Sequence, residues 1–146
     1  MKKILGLIAI ISFLGLSDLS AQCIYGNCYD GNGTWRFDNG DLYDGLWVKG
    51  KPNGQGKYTW KNGDFYRGNW VDGVMEGRGF YEWANGDKYV GQWSDNKMNG
   101  RGHYRWQMPG DVMNDATFEG LFEDGKMKKA EVQETGEPMY SGQHKR

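Results

Sequence analysis

Past its first 21 residues this chain has very few aliphatic side chains. They reduce to Ile24, Leu42, Leu46, Val48, Val71, Val74, Val90, Val112, Leu121 and Val132, beside scattered Met and Ala. Burial must therefore come from another class of residue. No second apolar run follows the N-terminal one, so no later segment suits a membrane-spanning helix. Imidazoles are limited to His103 and His144, and thiols to Cys23 and Cys28, a poor supply for a metal site. The serines after the leader are Ser94 and Ser141, too few to assemble a nucleophile, a base and an orienting group with those histidines. No phosphate-cradling glycine loop precedes a helix. Neither catalysis nor a cofactor is expected.

The first 21 residues read as a secretory signal peptide of bacterial type. Lys2 and Lys3 give a basic start, residues 4–16 are apolar, and Leu19-Ser20-Ala21 offers a small-residue cleavage site. Export to the periplasm or the exterior is the expectation. Acylation at Cys23 is disfavoured, because Gln22 stands where a lipoprotein has a small residue. Removing the leader takes away Lys2, Lys3 and Asp18, leaving 16 basic and 18 acidic residues. That slight acidity argues against nonspecific nucleic-acid binding, whose footprint is a basic stripe.

What the chain has in quantity is aromatic rings and glycine. Seven Trp, nine Tyr and five Phe remain after the leader, and each ring can bury roughly 150–250 Å². They recur in order. Tyr43-Asp44-Gly45-Leu46-Trp47 is repeated as Tyr66-Arg67-Gly68-Asn69-Trp70 and again as Tyr89-Val90-Gly91-Gln92-Trp93, at a spacing of 23 residues. Each opening leads to a glycine pair (Gly54/Gly56, Gly77/Gly79, Gly100/Gly102), then to Tyr58/Trp60, Tyr81/Trp83 or Tyr104/Trp106, then to a turn ending in Gly-Asp. A fixed period of that length means an array of like supersecondary units.

Within one unit, Asn62-Gly63 separates two alternating runs, which predicts a hairpin closed by a two-residue primed turn with both central residues at positive φ. Asn39-Gly40 and Asn85-Gly86 repeat it, and Met108-Pro109-Gly110 replaces it later with a longer turn. Alternate residues of a strand share a face. Tyr66, Gly68 and Trp70, with Gly77, Gly79, Tyr81 and Trp83, then form an aromatic face, while Arg67, Asn69, Arg78 and Glu82 form a polar one. Glycine weakens a strand unless something must approach its backbone. The expected visitor is a ring from the neighbouring strand.

These motifs resemble the MORN repeat, with its Tyr-x-Gly-x-Trp opening, short loop and Gly-x-Gly. The resemblance covers residues 43 to about 129, with a half unit before it and a degenerate unit after, opened by Phe118-Glu119-Gly120-Leu121-Phe122. It implies an all-β fold: an elongated, single-layer antiparallel array of β-hairpins. The expected organisation is a leader at 1–21, a half repeat at 22–42, the array at 43–132 and a C-terminal cap or tail at 133–146. Six extra residues after Gly110 should bulge as a loop, and Tyr140-Ser141-Gly142-Gln143 looks like a truncated further opening.

Cys23 and Cys28 are candidates for a disulfide closing a small loop at the start of the first hairpin. The aspartates at 41, 64, 87 and 111 are expected to stabilise turns. Met75, Met98 and Met127 hold equivalent loop positions, suited to filling the loop's own packing. Binding candidates are the rings of Tyr43, Trp47, Tyr66, Trp70, Tyr89 and Trp93 and, on the polar face, Arg78, Arg101 and Arg105 beside His103. The family resemblance implies a noncatalytic binding or scaffolding module, and the mildly acidic chain favours a protein partner or self-association. The alternatives are a glycan stacked on an aromatic row, if those indoles are exposed, or an anionic lipid surface met by the arginines.

Overall fold

The computed structural model describes residues 21–107 and 116–130. They form one open antiparallel sheet of ten strands, paired in the order of the chain. The strands are β1 (Gln22–Gly26), β2 (Gly31–Arg36), β3 (Leu42–Val48), β4 (Lys51–Thr59), β5 (Phe65–Val71), β6 (Val74–Glu82), β7 (Lys88–Ser94), β8 (Lys97–Arg105), β9 (Thr117–Glu123) and β10 (Lys126–Ala130). The all-β hairpin ribbon expected from the repeats is the fold observed. The replaced turn at 108–110, the extra loop residues up to 115 and the truncated opening at 140–143 lie outside the described residues.

Two kinds of turn alternate along the ribbon. β5 and β6 are joined by Asp72-Gly73 alone, both at positive φ (49° and 88°), with Val71 paired to Val74. Lys49-Gly50, Asp95-Asn96 and Asp124-Gly125 do the same elsewhere, and these are the primed two-residue turns. The Asn-Gly turns differ from the expectation. In the 60–64 loop the N–H of Gly63 donates to Trp60 O (3.0 Å) and that of Trp60 to Asp64 O (3.0 Å). Of its residues only Gly63 has positive φ. This is a three-residue loop whose glycine forms the closing bulge, so Asn62 serves by its side chain: Oδ1 accepts from the Asp64 N–H at 3.0 Å.

Register lines the repeats up. Tyr43 faces Tyr58 and Gly45 faces Gly56, then a bulge shifts the pairing so that Trp47 faces Pro52. β5–β6 and β7–β8 repeat this with Tyr66/Tyr81, Gly68/Gly79 and Trp70/Met75, and with Tyr89/Tyr104, Gly91/Gly102 and Trp93/Met98. The core is a strip along one face. Tyr43, Tyr66 and Tyr89 are wholly buried and Trp47, Trp70 and Trp93 nearly so. Each opening Tyr meets its own Trp edge-on, with centroids 5.0, 5.2 and 5.3 Å apart. Tyr43 meets Trp70, and Tyr66 meets Trp93, in the same way (5.4 and 5.2 Å). A Cβ on Gly68 or Gly79 would overlap the Tyr66 ring. The expected ring over bare backbone is there, and it reaches across to the neighbouring strand.

Candidate functional site

On the core face, beside the buried strip and tied into it at Tyr81, a second row of rings runs along the array. Phe37, Tyr58, Trp60, Tyr81, Trp83, Tyr104 and Trp106 follow one another with centroids 5.5, 4.6, 5.1, 4.5, 5.1 and 4.8 Å apart. Successive planes are tilted by 33° to 50°, so the rings make ridges and not a flat pavement. Trp60, Trp83 and Trp106 are half-buried. Their position explains this. Each follows the last residues of its strand, where the sheet ends and the neighbouring strand no longer covers the outer ring edge.

This row is one wall of a groove. Pro52, Met75 and Met98, at the opposite ends of the same strands, supply the other. A depression of about 320 Å³ between the two walls is lined by Trp60, Tyr81 and Trp83 on one side and Met75 and Met98 on the other, with Trp93 among its residues. Met75 is buried in the core and Met98 packs half-buried against it, as expected of the methionine row, but Met127 in the last hairpin is exposed. At the N-terminal end a larger apolar depression, about 930 Å³, is lined by Tyr29, Trp35, Phe37, Trp47 and the cysteines. The sulphurs of Cys23 and Cys28 stand 2.07 Å apart, at bonding distance.

The aspartates of the Asn-Gly loops bind each unit to the next. Tyr81 donates its hydroxyl to Asp64 Oδ2 (2.9 Å) while the Ala84 N–H donates to Oδ1 (2.8 Å). Asp41 accepts from Tyr58 and the Lys61 N–H (2.7 and 2.8 Å), and Asp87 from Tyr104 and the Gln107 N–H (3.0 and 2.8 Å). Burial pushes these carboxyls up, but the hydrogen bonds outweigh it and hold all three below the usual carboxylate range. Turn stabilisation is thus only half of their role. Each also orients a groove tyrosine of the following repeat.

The predicted site residues fall into two groups. Tyr43, Trp47, Tyr66, Trp70, Tyr89 and Trp93 are brought together, but as the core, at most 5% exposed. No sugar platform can be built from them. Sequence reading noted Trp60, Trp83 and Trp106 without giving them a role, although their place just before a turn marks them as strand-end rings. On the polar face Arg78 and Arg101 line a shallow depression of about 300 Å³ with His103 and Glu119. Glu119 is paired in register with His103, so the face is mixed in charge. Arg105 sits one residue before the ring row, opposite Lys88 and Thr117.

Like hairpins stacked edge to edge, with a core of rings and no second layer among the described residues, define a β-repeat ribbon. Residues 43–65, 66–88 and 89–108 each match the MORN repeat family. No curated protein gives a significant match to the chain. MORN repeats are generally noncatalytic modules that contact proteins or membranes.

Proposed function

We propose that this chain is a noncatalytic protein-contact module of the bacterial envelope or exterior, and that contact is made through the ridged groove on its aromatic face. One observation carries the reading: half-buried indoles recur once per repeat along an apolar groove, and aromatic residues of this kind anchor protein interfaces. Export is supported by the leader-like residues 1–21 and by a cysteine pair at disulfide distance, since such bonds persist in oxidising compartments.

A photoreactive residue placed at exposed Ala84, beside the groove, tests the contact in the producing cell. The expected result is a discrete protein adduct that is absent when the same probe replaces Val90 on the polar face. Equal labelling from both positions rejects the groove. An adduct from Val90 alone, together with retention on anionic vesicles that fades with salt, points to the arginine face and a membrane. Mass analysis of the mature N-terminus tests export, with Gln22 as the expected first residue; a mature chain that keeps its leader rejects cleavage.

A further inference from the structure

The geometry points to a more specific occupant for that groove, resting on the protein-contact reading above. We propose that it takes an extended, proline-rich segment carrying basic residues, one left-handed polyproline turn per repeat. Each repeat adds two strands, and strands lie roughly 4.7–4.9 Å apart, so equivalent indoles advance by about 9.5 Å along the groove. A polyproline II helix climbs about 3.1 Å per residue with three residues per turn, about 9.3 Å. Ridge spacing and ligand pitch therefore stay in step over the three repeats.

The chemistry of the walls agrees. Trp47 and Trp70 spend their indole N–H groups inside the fold, on Gly33 O and Gly56 O (2.9 and 3.3 Å). Trp60 and Trp83, half-exposed, donate to no partner among the described residues. A polyproline backbone has every carbonyl unpaired and ready to accept. Tilted ridges suit a three-sided helix whose proline rings drop between them. A straight glycan chain needs a flat row of ring faces, which the tilts of 38° and 44° on either side of Tyr81 do not offer. The rim explains the basic residues. Loops 37–41, 60–64 and 83–87 carry Asp38, Asp64 and Asp87 within reach of solvent against Lys61, while Asp41 is buried. Lys97, which lines the opposite wall, is paired with Asp124 at 3.2 Å.

The probe is a synthetic nonaproline with arginine at both ends, added to the full mature chain while indole N–H resonances are followed. The signals of Trp60 and Trp83 should shift and those of Trp47 and Trp70 stay. Trp60→Phe and Trp83→Phe keep a ring and remove the donor. Each should weaken binding about tenfold, the order expected of an interface anchor, with an unchanged circular dichroism spectrum. The mirror-image D-proline peptide and a Gly/Ser peptide of equal charge should not bind. Binding of either control as tightly as the probe, or full affinity in both Phe variants, overturns the inference. So does a chitin or cellulose hexasaccharide that shifts the same indoles where the peptide does not. A protein adduct at Ala84 without peptide binding sinks this occupant and leaves protein contact standing; absence of both sinks the two together.

Discussion

Over Gly56, Gly79 and Gly102 lies a tyrosine ring; over Gly33, the equivalent glycine of the first hairpin, lies the sulphur of Cys28. A Cβ on Gly33 would come within 2.8 Å of that sulphur, just as one on Gly79 would overlap Tyr66. Register makes the exchange explicit. Cys23 faces Trp35 in β1–β2, as Tyr43 faces Tyr58 in β3–β4. At the other end Phe118 and Phe122, 5.4 Å apart, take the places of tyrosine and tryptophan. The opening tyrosines of the interior repeats are covered from both sides and their hydroxyls find fixed carbonyls. A terminal unit has a neighbour on one side only. One end closes its core with a covalent staple, and the other with rings that have no polar atom to satisfy. Terminal repeats of an array are expected to be atypical in this way.

The sharpest way to break the comparison is to empty an interior seat. Tyr66→Ala removes a wholly buried ring that meets Trp70 and Trp93, and should cost about 3–5 kcal/mol in a denaturant titration. Gly79→Val fills the seat instead, and overpacking of about 1–3 kcal/mol is expected. If either variant keeps its midpoint, the stacked rings are not what holds the sheet.

Reducing the Cys23–Cys28 bond should cost less and act locally. The loop is short, with a sequence separation of 5, for which chain entropy suggests about 2 kcal/mol. Because each unit contacts only its neighbours, hydrogen exchange should speed up in β1 and β2 and hardly change in β5–β7. Global unfolding on reduction would mean that the staple supports the whole array and not just its end.

The clamped aspartates and the buried tyrosines give two pH limits. The folded aspartates titrate below their unfolded value of about 3.9, so their contribution is complete above that pH and is lost as pH falls through the folded value. For Tyr89 and Tyr104, burial pushes the hydroxyl up to about 12. Their contribution is whole below the unfolded value of about 10 and is lost as pH rises toward 12. Asp64→Asn should flatten the acid limb of a melting-temperature profile and, because the Asp64 carboxylate helps to hold the Tyr81 hydroxyl up, weaken the alkaline limb slightly. An acid limb unchanged in that variant would remove Asp64 from the account.

Much of the fold was legible because the signals are local and repeated. Tyr-x-Gly-x-Trp fixes which rings share a face, and the glycine pairs announce that something lies on them. Two things were not legible, for physical reasons. Asn62-Gly63 looks like a primed turn, yet Asp64 must reach both Tyr81 and the Ala84 N–H, and the three-residue loop sets it there. The true primed turns were present as Asp72-Gly73 and Asp124-Gly125, and were passed over beside the stronger Asn-Gly pattern. Buried and half-exposed rings were not told apart because Trp70 and Trp60 are alike by residue type. Only the sheet's edge, a long-range property, buries the first and half-exposes the second.

The smallest effect follows the indole donors along the array. Trp47 donates to Gly33 O at 2.9 Å and Trp70 to Gly56 O at 3.3 Å, while the buried Nε1 of Trp93 has no partner among the described residues. A phenylalanine at each site loses similar ring area, so any difference in cost isolates the hydrogen bond, worth about 1 kcal/mol. Trp47→Phe should therefore be the most costly of the three. Trp93→Phe should be the cheapest, since it also relieves a buried donor left unsatisfied. If Trp93→Phe costs as much as Trp47→Phe, the Trp93 indole is bonded in solution. The interior repeats are then alike, and the fading of this bond along the ribbon carries no energy.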